Sequence, residues 1–357
     1  MMTIRAGVLG ATGLAGQQVL VALAHHPWFT VTAVAASERS AGRSLADALR
    51  EPSGNSRWFA DGEADGAARE LPCLTAGELL EQPLDLVFSA VSRDVAQSWE
   101  PRFAERLPVV STASAYRYEP DVPILVPGVN DAHAEALYDQ RRRRGWRGFI
   151  APIPNCTTTG LVISLKPLQD AFGVRTVMMT SMQAVSGAGR SGGVLALDVI
   201  DNVVPHIPGE EEKVERETRK ILGAWGEPAP FPVSCTCTRV NVHDGHTEAV
   251  FVGTERACDA RSAQAAMENF SLDGVRGLPS APERLLSVST DPFRPQPRRD
   301  RDAGQGMTVT VGRLRDEPVL NGVKYVVVSH NTKLGAGKGA VLLAEWLARE
   351  GMIERAP

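Results

Sequence analysis

Cys156 is the residue whose type and position in this sequence most clearly predict chemistry. It follows a strand-like run, Gly148 to Ile153, and precedes an apolar helical pattern from Leu161 to Leu168. A cysteine at a helix N-terminus has its thiolate stabilised by the helix dipole and by free N–H groups, which lowers the pKa of the thiol. A buried structural cysteine is the usual alternative, but the polar segment Pro154-Asn155-Cys156-Thr157-Thr158-Thr159 favours a nucleophile.

A thiolate that forms a thioester requires a partner that handles protons. The best candidate lies in the segment 239–248, which contains His243 and His246. Period-2 alternation over residues 239–243 predicts a strand, and Asp244-Gly245 predicts a turn. His246 is then expected just after the turn, where its imidazole can face a cleft. From the residues alone, each histidine could equally lie on the surface or in the core; the resemblance described below favours His246.

A cysteine and a histidine that act together on a substrate also need secondary-structure elements that hold a cofactor beside them. The apolar run Ile4 to Leu9 leads directly into Gly10-Ala11-Thr12-Gly13-Leu14-Ala15-Gly16, and residues 17–23 continue with helical spacing. Glycines let the backbone approach the pyrophosphate of a dinucleotide, and N–H groups at a helix start supply positive potential. The segment therefore predicts a dinucleotide site. Because its spacing is G-x-x-G-x-x-G rather than G-x-G-x-x-G, a plain strand–helix turn is the alternative.

Further strand-like runs alternate with helical stretches along the first half of the chain. They are Val31 to Ala36, Leu84 to Val91, Leu107 to Ser111 and Ile124 to Val126. Alternation of this kind predicts a parallel, doubly wound sheet.

The end of the second predicted strand bears on which dinucleotide is bound. An acidic residue there usually holds the ribose 2′-hydroxyl of NAD, whereas Arg and Ser accommodate the 2′-phosphate of NADP. Glu38 keeps NAD possible, but Ser37, Arg39 and Ser40 together favour NADP.

The length and composition of the chain limit the number of domains and the kinds of partner that can be expected. Its 357 residues suit two domains, since single cores rarely grow past roughly 250–300 residues. A formal net charge of −4 gives no reason to expect nucleic acid or an anionic membrane as a partner. No apolar run approaches the roughly 18 residues that a membrane span needs. No signal peptide is expected ahead of the glycine segment, which favours a cytoplasmic protein.

The five cysteines do not form the pattern of a disulfide framework or of a metal site. Their odd number and irregular spacing argue against disulfides, and no second cysteine cluster completes a zinc site. We therefore expect reduced thiols and no metal. The cysteines interpreted as structural are Cys73, Cys235, Cys237 and Cys258.

Eight blocks, in a characteristic order, cover nearly the whole chain. They are Gly10-Ala11-Thr12-Gly13, Ser111-Thr112-Ala113-Ser114-Ala115-Tyr116-Arg117, Pro154-Asn155-Cys156, Met182 through Gly189, Asp201-Asn202-Val203-Val204-Pro205, Gly209-Glu210-Glu211-Glu212-Lys213, Arg239 through Glu248, and Ser329-His330-Asn331-Thr332. In these blocks and their order the chain resembles the aspartate-semialdehyde dehydrogenase family, in the branch found in archaea and fungi.

The resemblance implies an activity and a set of residues that carry it. The reaction would be the NADPH-dependent reduction of L-aspartyl-4-phosphate to L-aspartate 4-semialdehyde and phosphate, through a thioester on Cys156. His246 would be the acid/base, and Gln183 would orient the acyl intermediate. Glu210 and Arg239 would bind the ammonium and α-carboxylate of the substrate. The residues implied for phosphate binding are Arg117, Asn155 and Lys213.

The resemblance also implies NADP contacts in three places. The glycine segment would contribute Gly10, Thr12, Gly13, Leu14 and Ala15. Ser37, Arg39 and Ser40 would form the 2′-phosphate site. Later in the chain the implied contacts are Ser186, Gly187 and Asn331.

The fold implied is α/β, with two domains. Residues 1–154 would form an NADP-binding, Rossmann-type doubly wound domain, to which the C-terminal helix in 331–357 returns. Residues 155–330 would form an α+β catalytic and dimerisation domain. A homodimer or homotetramer is expected.

Departures from the family pattern occur near Ile153, Tyr116 and Lys338, and they leave two alternatives open. One is a reductase of the same fold acting on malonyl-CoA or on an acyl phosphate of a related amino acid. Glu210 for an amino group and Arg117 for phosphate favour aspartyl phosphate instead. The other is a catalytically silent NADP-binding protein, against which the intact Cys156, Gln183 and His246 speak.

Overall fold

The first half of the chain alternates strands with helices. The computed structural model describes residues 3–189, 196–271 and 273–354. In chain order the strands and helices of this half are β1 (Ile4–Leu9), α1 (Leu14–Ala22), β2 (Phe29–Ala35), α2 (Leu45–Ala48), α3 (Gly66–Glu70), β3 (Cys73–Leu74), α4 (Ala76–Leu80), β4 (Leu86–Ser89), α5 (Arg93–Ala104), β5 (Val109–Ser111), α6 (Ala136–Arg144) and β6 (Ile150–Pro152).

These six strands form one sheet in the order β3-β2-β1-β4-β5-β6. Every neighbouring pair is parallel, which confirms the predicted doubly wound sheet. The strand order reverses between β1 and β4, and in open parallel sheets ligands bind at such a switch point, outside the carboxyl ends of the strands. The glycine segment follows the carboxyl end of β1 and therefore lies at this position.

One predicted strand of the first half is wrong. Residues Ile124 to Val126 are buried but do not join the sheet. They pack in the same core cluster as sheet residues, and one backbone hydrogen bond, from Leu125 N to Pro152 O at 3.0 Å, joins them to it. The place beside β5 is taken by β6, within the strand-like run predicted from Gly148 to Ile153. A three-residue apolar run can be buried without pairing to a strand. Hydrophobicity alone therefore does not distinguish a buried strand from a buried loop segment.

The second half is built on a mixed sheet. Its strands and helices are α7 (Cys156–Phe172), β7 (Val174–Gln183), α8 (Ala196–Val199), α9 (Glu210–Leu222), β8 (Val233–Arg239), β9 (His246–Thr254), α10 (Ala260–Glu268), β10 (Leu286–Ser289), α11 (Pro297–Asp300), β11 (Val309–Glu317), β12 (Gly322–Ser329) and α12 (Gly337–Arg349). The strand order is β10-β11-β12-β9-β7-β8. β7 pairs parallel with β8 and antiparallel with β9. A second, α+β unit is thereby confirmed.

The last helix lies against the first. A Cβ built at Gly337, where α12 begins, would come within 2.6 Å of the backbone of Gln18 and Val19 in α1, so only glycine permits this approach. The predicted return of the chain to its first half concerned residues 331–357, of which 355–357 lie outside the described residues. The domain boundaries at 154 and 330 stay predictions.

Candidate active site

Cys156 is the first residue of α7, as the sequence predicts. The preceding residue, Asn155, caps the helix: its Oδ1 accepts hydrogen bonds from the backbone N–H groups of Thr157 at 2.8 Å and Thr158 at 3.3 Å. Such a cap satisfies the first-turn donors of a helix and fixes where it starts. The cysteine side chain therefore has a defined position at the junction of the two sheets.

The side chain of His246 meets this cysteine. Its Nε2 lies 3.2 Å from the Sγ of Cys156. His246 is the first residue of β9 and is 0% exposed, so the expected imidazole facing an open cleft is wrong. The predicted strand over residues 239–243 is wrong beyond Arg239, where β8 ends. The loop that follows pairs instead with the segment after β7, its Val242 carbonyl accepting from Val185 N at 2.8 Å.

The hydrogen bonds of His246 determine its tautomer. The backbone N–H of Ala184 donates to Nδ1 at 3.1 Å. Because Nδ1 accepts, the proton of the neutral imidazole is assigned to Nε2, the nitrogen that faces Cys156. Burial, with the nearby positive charge of Arg239 and with His330, lowers the pKa of His246 to about 3. The imidazole is neutral at physiological pH and presents an N–H to the sulfur.

The pKa of Cys156 departs from the sequence expectation. Burial, together with the negative charge of Glu210, raises the pKa of the thiol to about 12. Arg239, Arg117 and the backbone N–H of Thr157 act in the opposite direction. The helix start thus favours the thiolate as predicted, but the desolvation of a charged sulfur outweighs it.

Three of the predicted site residues form one row across the mixed sheet. Arg239 at the end of β8 pairs in register with Gln183 at the end of β7. The preceding residue of β7, Met182, pairs with Thr247, so Gln183 stands next to His246. The row brings residues from three separate chain segments to the same edge of the sheet, facing the start of α7.

Glu210 connects this row to the nucleophile. Its Oε1 accepts from Asn155 Nδ2 at 2.8 Å and from Gln183 Nε2 at 3.3 Å. Its Oε2 lies 3.3 Å from Lys213 Nζ, one turn further along α9, since residues three apart on a helix lie on one face. The carboxylate therefore stands among Asn155, Gln183 and Lys213, all of which are predicted site residues.

Two buried arginines each retain an unused donor. Arg117 donates from Nη1 to Glu217 and from Nη2 to the Thr112 carbonyl, and Arg239 donates from Nη1 to the Ala184 carbonyl. Among the described residues, the Nε of each has no acceptor. A buried donor without a partner costs about 1–3 kcal/mol, more when it is charged, and a bound anion removes that cost. The site can therefore take two anionic groups.

The glycine segment fits a dinucleotide. Gly10 has a φ of 88°, and a Cβ there would lie 2.4 Å from the Ala90 carbonyl oxygen. Gly13 precedes α1 without a side-chain cap, and the first turn of the helix has no acidic residue. Its N–H groups are thus available to a phosphate. Ser37 and Arg39 are exposed after β2, with Ser40 half-buried, where a ribose phosphate can reach them.

The other predicted cofactor residues lie beside the catalytic pair. Asn331 accepts from Gly245 N at 2.9 Å and donates to Ser186 Oγ at 2.8 Å. A Cβ at Gly187 would come within 3.0 Å of His246 Cε1. Ser186, Gly187 and Asn331 are therefore grouped around the imidazole, whereas Thr12, Leu14 and Ala15 lie in or next to the start of α1.

The departures from the family pattern make their own contacts. Tyr116 donates from its hydroxyl to the Gln97 carbonyl at 2.7 Å, and Lys338 lies 3.1 Å from Gln305 Oε1. Ile153 is buried in the apolar core. Each of these side chains is accounted for by packing or by a local hydrogen bond.

Sequence reasoning missed Glu217. It is fully buried on α9 and receives hydrogen bonds from Arg117, Tyr118 and the backbone of Asn155. Its spacing from Glu210 and Lys213, seven and four residues, places all three on one helix face. That spacing was the available signal.

No helix within residues 3–189, 196–271 and 273–354 has the length and apolar character needed to cross a membrane. Across the same ranges, no group of three or more His, Cys, Asp or Glu residues could hold a metal ion.

Known proteins resemble the chain over nearly its full length. Two family models match it: the NAD binding domain of semialdehyde dehydrogenase over residues 5–137, and the dimerisation domain over residues 165–334. The aspartate-semialdehyde dehydrogenase of Methanothermobacter thermautotrophicus is 44% identical, covering 96% of this chain and 98% of the relative. That of Candida albicans is 41% identical, covering 99% and 100%.

Solved structures agree with this similarity. The aspartate-semialdehyde dehydrogenase of Candida albicans with NADP superimposes with a TM-score of 0.86 at 39% identity, covering 98% of this chain and 100% of that one. Aspartate-semialdehyde dehydrogenase II of Vibrio cholerae, complexed with ASA, gives 0.76 at 26% identity and covers 98% and 99%.

Proposed function

Because the chain belongs to the aspartate-semialdehyde dehydrogenase family, we propose that it reduces L-aspartyl-4-phosphate to L-aspartate 4-semialdehyde with NADPH, releasing phosphate. The observation that carries this proposal is the contact of Cys156 Sγ with His246 Nε2 at 3.2 Å. Two buried arginines, Arg117 and Arg239, act electrostatically on this thiol, and each keeps an unused donor among the described residues. A nucleophile, a proton donor and two anion sites match an acyl phosphate that also has an α-carboxylate.

The substrate's charges match the charges of the site. Arg239 binds the α-carboxylate, because a guanidinium can take a carboxylate with directed, charge-assisted bonds. Glu210 binds the ammonium group. Arg117 and Lys213 bind the phosphate, together with Asn155. Placed in this way, the substrate directs its acyl carbon toward the sulfur of Cys156.

The chemistry begins at the sulfur. The Cys156 sulfur attacks the acyl carbon as its thiol proton passes to the departing phosphate, and the C–O bond to phosphate breaks to leave a thioester. Asn155 Oδ1 already occupies the N–H groups of Thr157 and Thr158, which leaves the N–H of Cys156 itself to stabilise the oxyanion. Arg117 neutralises the charge that develops on the departing phosphate.

Reduction follows at the same carbon. When bound along the glycine segment, with Arg39 beside its 2′-phosphate, NADPH supplies the hydride. His246 donates its Nε2 proton to the oxygen of the thiohemiacetal as the hydride adds. It takes that proton back when the C=O bond reforms and the C–S bond breaks, which releases the aldehyde and a Cys156 thiolate that takes up a proton from solvent. Gln183, next to His246 in the sheet, orients the acyl group.

The assembly proposed is a homodimer or a dimer of dimers. On the outer face of the mixed sheet, Met178 is 51% exposed and its register partner Phe251 is 37% exposed. Large apolar side chains on neighbouring strands make a surface that a second copy can cover. A cytoplasmic location is proposed with it, from the expected biosynthetic role.

The reaction is tested in reverse. NADPH formation is followed from L-aspartate semialdehyde, NADP and phosphate, with Cys156→Ala as the inactive control that should still bind NADP. Phosphate-dependent turnover supports the proposal. Turnover that requires coenzyme A in place of phosphate would assign another acyl donor, and a protein that binds NADP without any turnover would be the silent alternative.

A further inference from the structure

We propose that Glu217 is a positioning residue that fixes Arg117 relative to the nucleophile, an inference that rests on the proposed function. Glu217 lies on α9, 0% exposed, and no step of the reaction described above uses it. Buried carboxylates are rare unless they are paired, so its surroundings require an explanation.

The two oxygens of this carboxylate serve two separate chain segments. Oε1 accepts from Arg117 Nη1 at 3.0 Å and from the hydroxyl of Tyr118 at 3.1 Å. Oε2 accepts from the backbone N–H of Asn155 at 2.6 Å. One side chain thereby links the loop that carries Arg117 to the residue directly before Cys156.

These contacts also set the direction of the guanidinium. Nη1 of Arg117 is bonded to Glu217, and Nη2 to the Thr112 carbonyl at 2.9 Å. Since the guanidinium is planar, fixing both terminal nitrogens fixes the Nε–H as well. That N–H has no acceptor among the described residues, and a phosphate oxygen bound beside it would supply one. Tyr118 remains a donor, because burial and the negative charge of Glu217 raise the pKa of its hydroxyl.

The distance between the anion site at Arg117 and the nucleophile is therefore set by one side chain, that of Glu217. In Glu217→Gln the amide keeps one acceptor oxygen, and its NH2 group must face either Arg117 or the Asn155 N–H. One of those donors loses its acceptor, and the phosphate group is no longer held at the correct distance from the Cys156 sulfur. Misplacement of a reacting group by an ångström costs on the order of a hundredfold in rate.

The matched control is Glu215→Gln. Glu215 lies on the same helix. Within the described part of the chain it accepts one backbone hydrogen bond, from Cys235 N at 3.1 Å, and has no hydrogen bond with Arg117 or Asn155. Both variants remove one carboxylate charge from α9. Glu217→Gln should raise the KM for phosphate and lower kcat of the reverse reaction by about tenfold or more, leaving the KM for NADP unchanged. Glu215→Gln should change none of the three by more than about twofold.

A second measurement does not depend on turnover. Alkylation of Cys156 by iodoacetamide is followed with increasing inorganic phosphate, and the concentration that gives half-protection is compared between proteins. We expect this concentration to rise about tenfold in Glu217→Gln. Should that variant not fold, Glu217→Asp keeps the charge but is too short to bridge both segments, and it should raise the concentration at least about threefold.

The outcomes separate the two proposals. The positioning role would be overturned if the wild type and the Glu217 variant that folds needed the same phosphate concentration for half-protection. It would also be overturned if the variant raised the KM of every substrate by the same factor. A wild-type protein that phosphate protects but that shows no phosphate-dependent turnover would refute only the proposed reaction. Absence of phosphate protection in the wild type would overturn the anion site at Arg117 and, with it, the role of Glu217.

Discussion

His246 and Glu248 lie two residues apart on the same face of β9, and the structure gives them opposite surroundings. Both nitrogens of His246 have partners, Ala184 N and Cys156 Sγ. Neither carboxyl oxygen of Glu248 has one among the described residues, and the side chain is fully buried beside Ser181, its register partner. Burial raises the pKa of Glu248 well above its usual range. A neutral carboxylic acid therefore stands one row beneath the catalytic pair.

Replacing Glu248 with Gln should make the protein more stable at neutral pH. The raised pKa means that the folded protein keeps a proton that the unfolded chain releases, so folding loses stability as the pH rises above the ordinary glutamate value. Relative to the variant, the wild type should lose up to about 1.4 kcal/mol of unfolding free energy for each pH unit as the pH rises above the ordinary glutamate value. Urea denaturation at several pH values measures this, and the exposed Glu70→Gln is the control. A difference that does not change with pH would show that Glu248 is ionised in the fold.

The rate at which iodoacetamide modifies Cys156 should rise steadily with pH. Because the pKa of this thiol is raised to about 12, the thiolate fraction grows about tenfold per pH unit throughout the range from 6.5 to 8.5. Peptide mapping by mass spectrometry separates Cys156 from the partly exposed Cys258, and Cys156→Ser identifies its signal. A rate that levels off above pH 7 would instead indicate a thiol activated by the helix start.

Arg239→Leu should chiefly weaken substrate binding. It removes the guanidinium whose Nε has no acceptor within the described part of the chain, and a charged hydrogen bond of this kind contributes about 1.5–3 kcal/mol. We expect the KM for L-aspartate semialdehyde to rise by roughly ten- to a hundredfold, with the KM for NADP unchanged. Arg261→Leu, at an exposed position of α10, is the control. An unaltered KM for the semialdehyde would remove Arg239 from the carboxylate site.

Arg39→Ala should reduce the preference for NADP over NAD. Arg39 is exposed after β2, where a guanidinium can bind the 2′-phosphate with charge-assisted bonds. The KM for NADP should rise about tenfold while that for NAD changes little. The nearby Arg43 donates to the Asp47 carbonyl within its own segment, so Arg43→Ala is the matched control. Equal changes for both dinucleotides would place the 2′-phosphate elsewhere.

The sequence by itself determined the local elements and the identity of the site residues. Hydrophobic runs and glycine spacing predicted β1 with its observed bounds, Ile4 to Leu9, and the start of α7 at Cys156. These features depend on neighbours in the chain, whose periodicity and capping chemistry can be recognised directly. The family resemblance supplied Arg117, Gln183, Glu210 and Arg239, which local patterns leave anonymous.

The tertiary structure decided the burial, the pKa values and the hydrogen-bond partners of those residues. Burial of His246, the raised pKa of Cys156 and the bridging role of Glu217 all arise where segments distant in the chain meet: 90 residues separate Cys156 from His246, and 100 separate Arg117 from Glu217. Desolvation and charge coupling depend on the three-dimensional surroundings of a group rather than on its neighbours in sequence. A helix start could therefore predict a reactive cysteine, but only the packing of α7 against the mixed sheet sets the protonation states of Cys156 and His246.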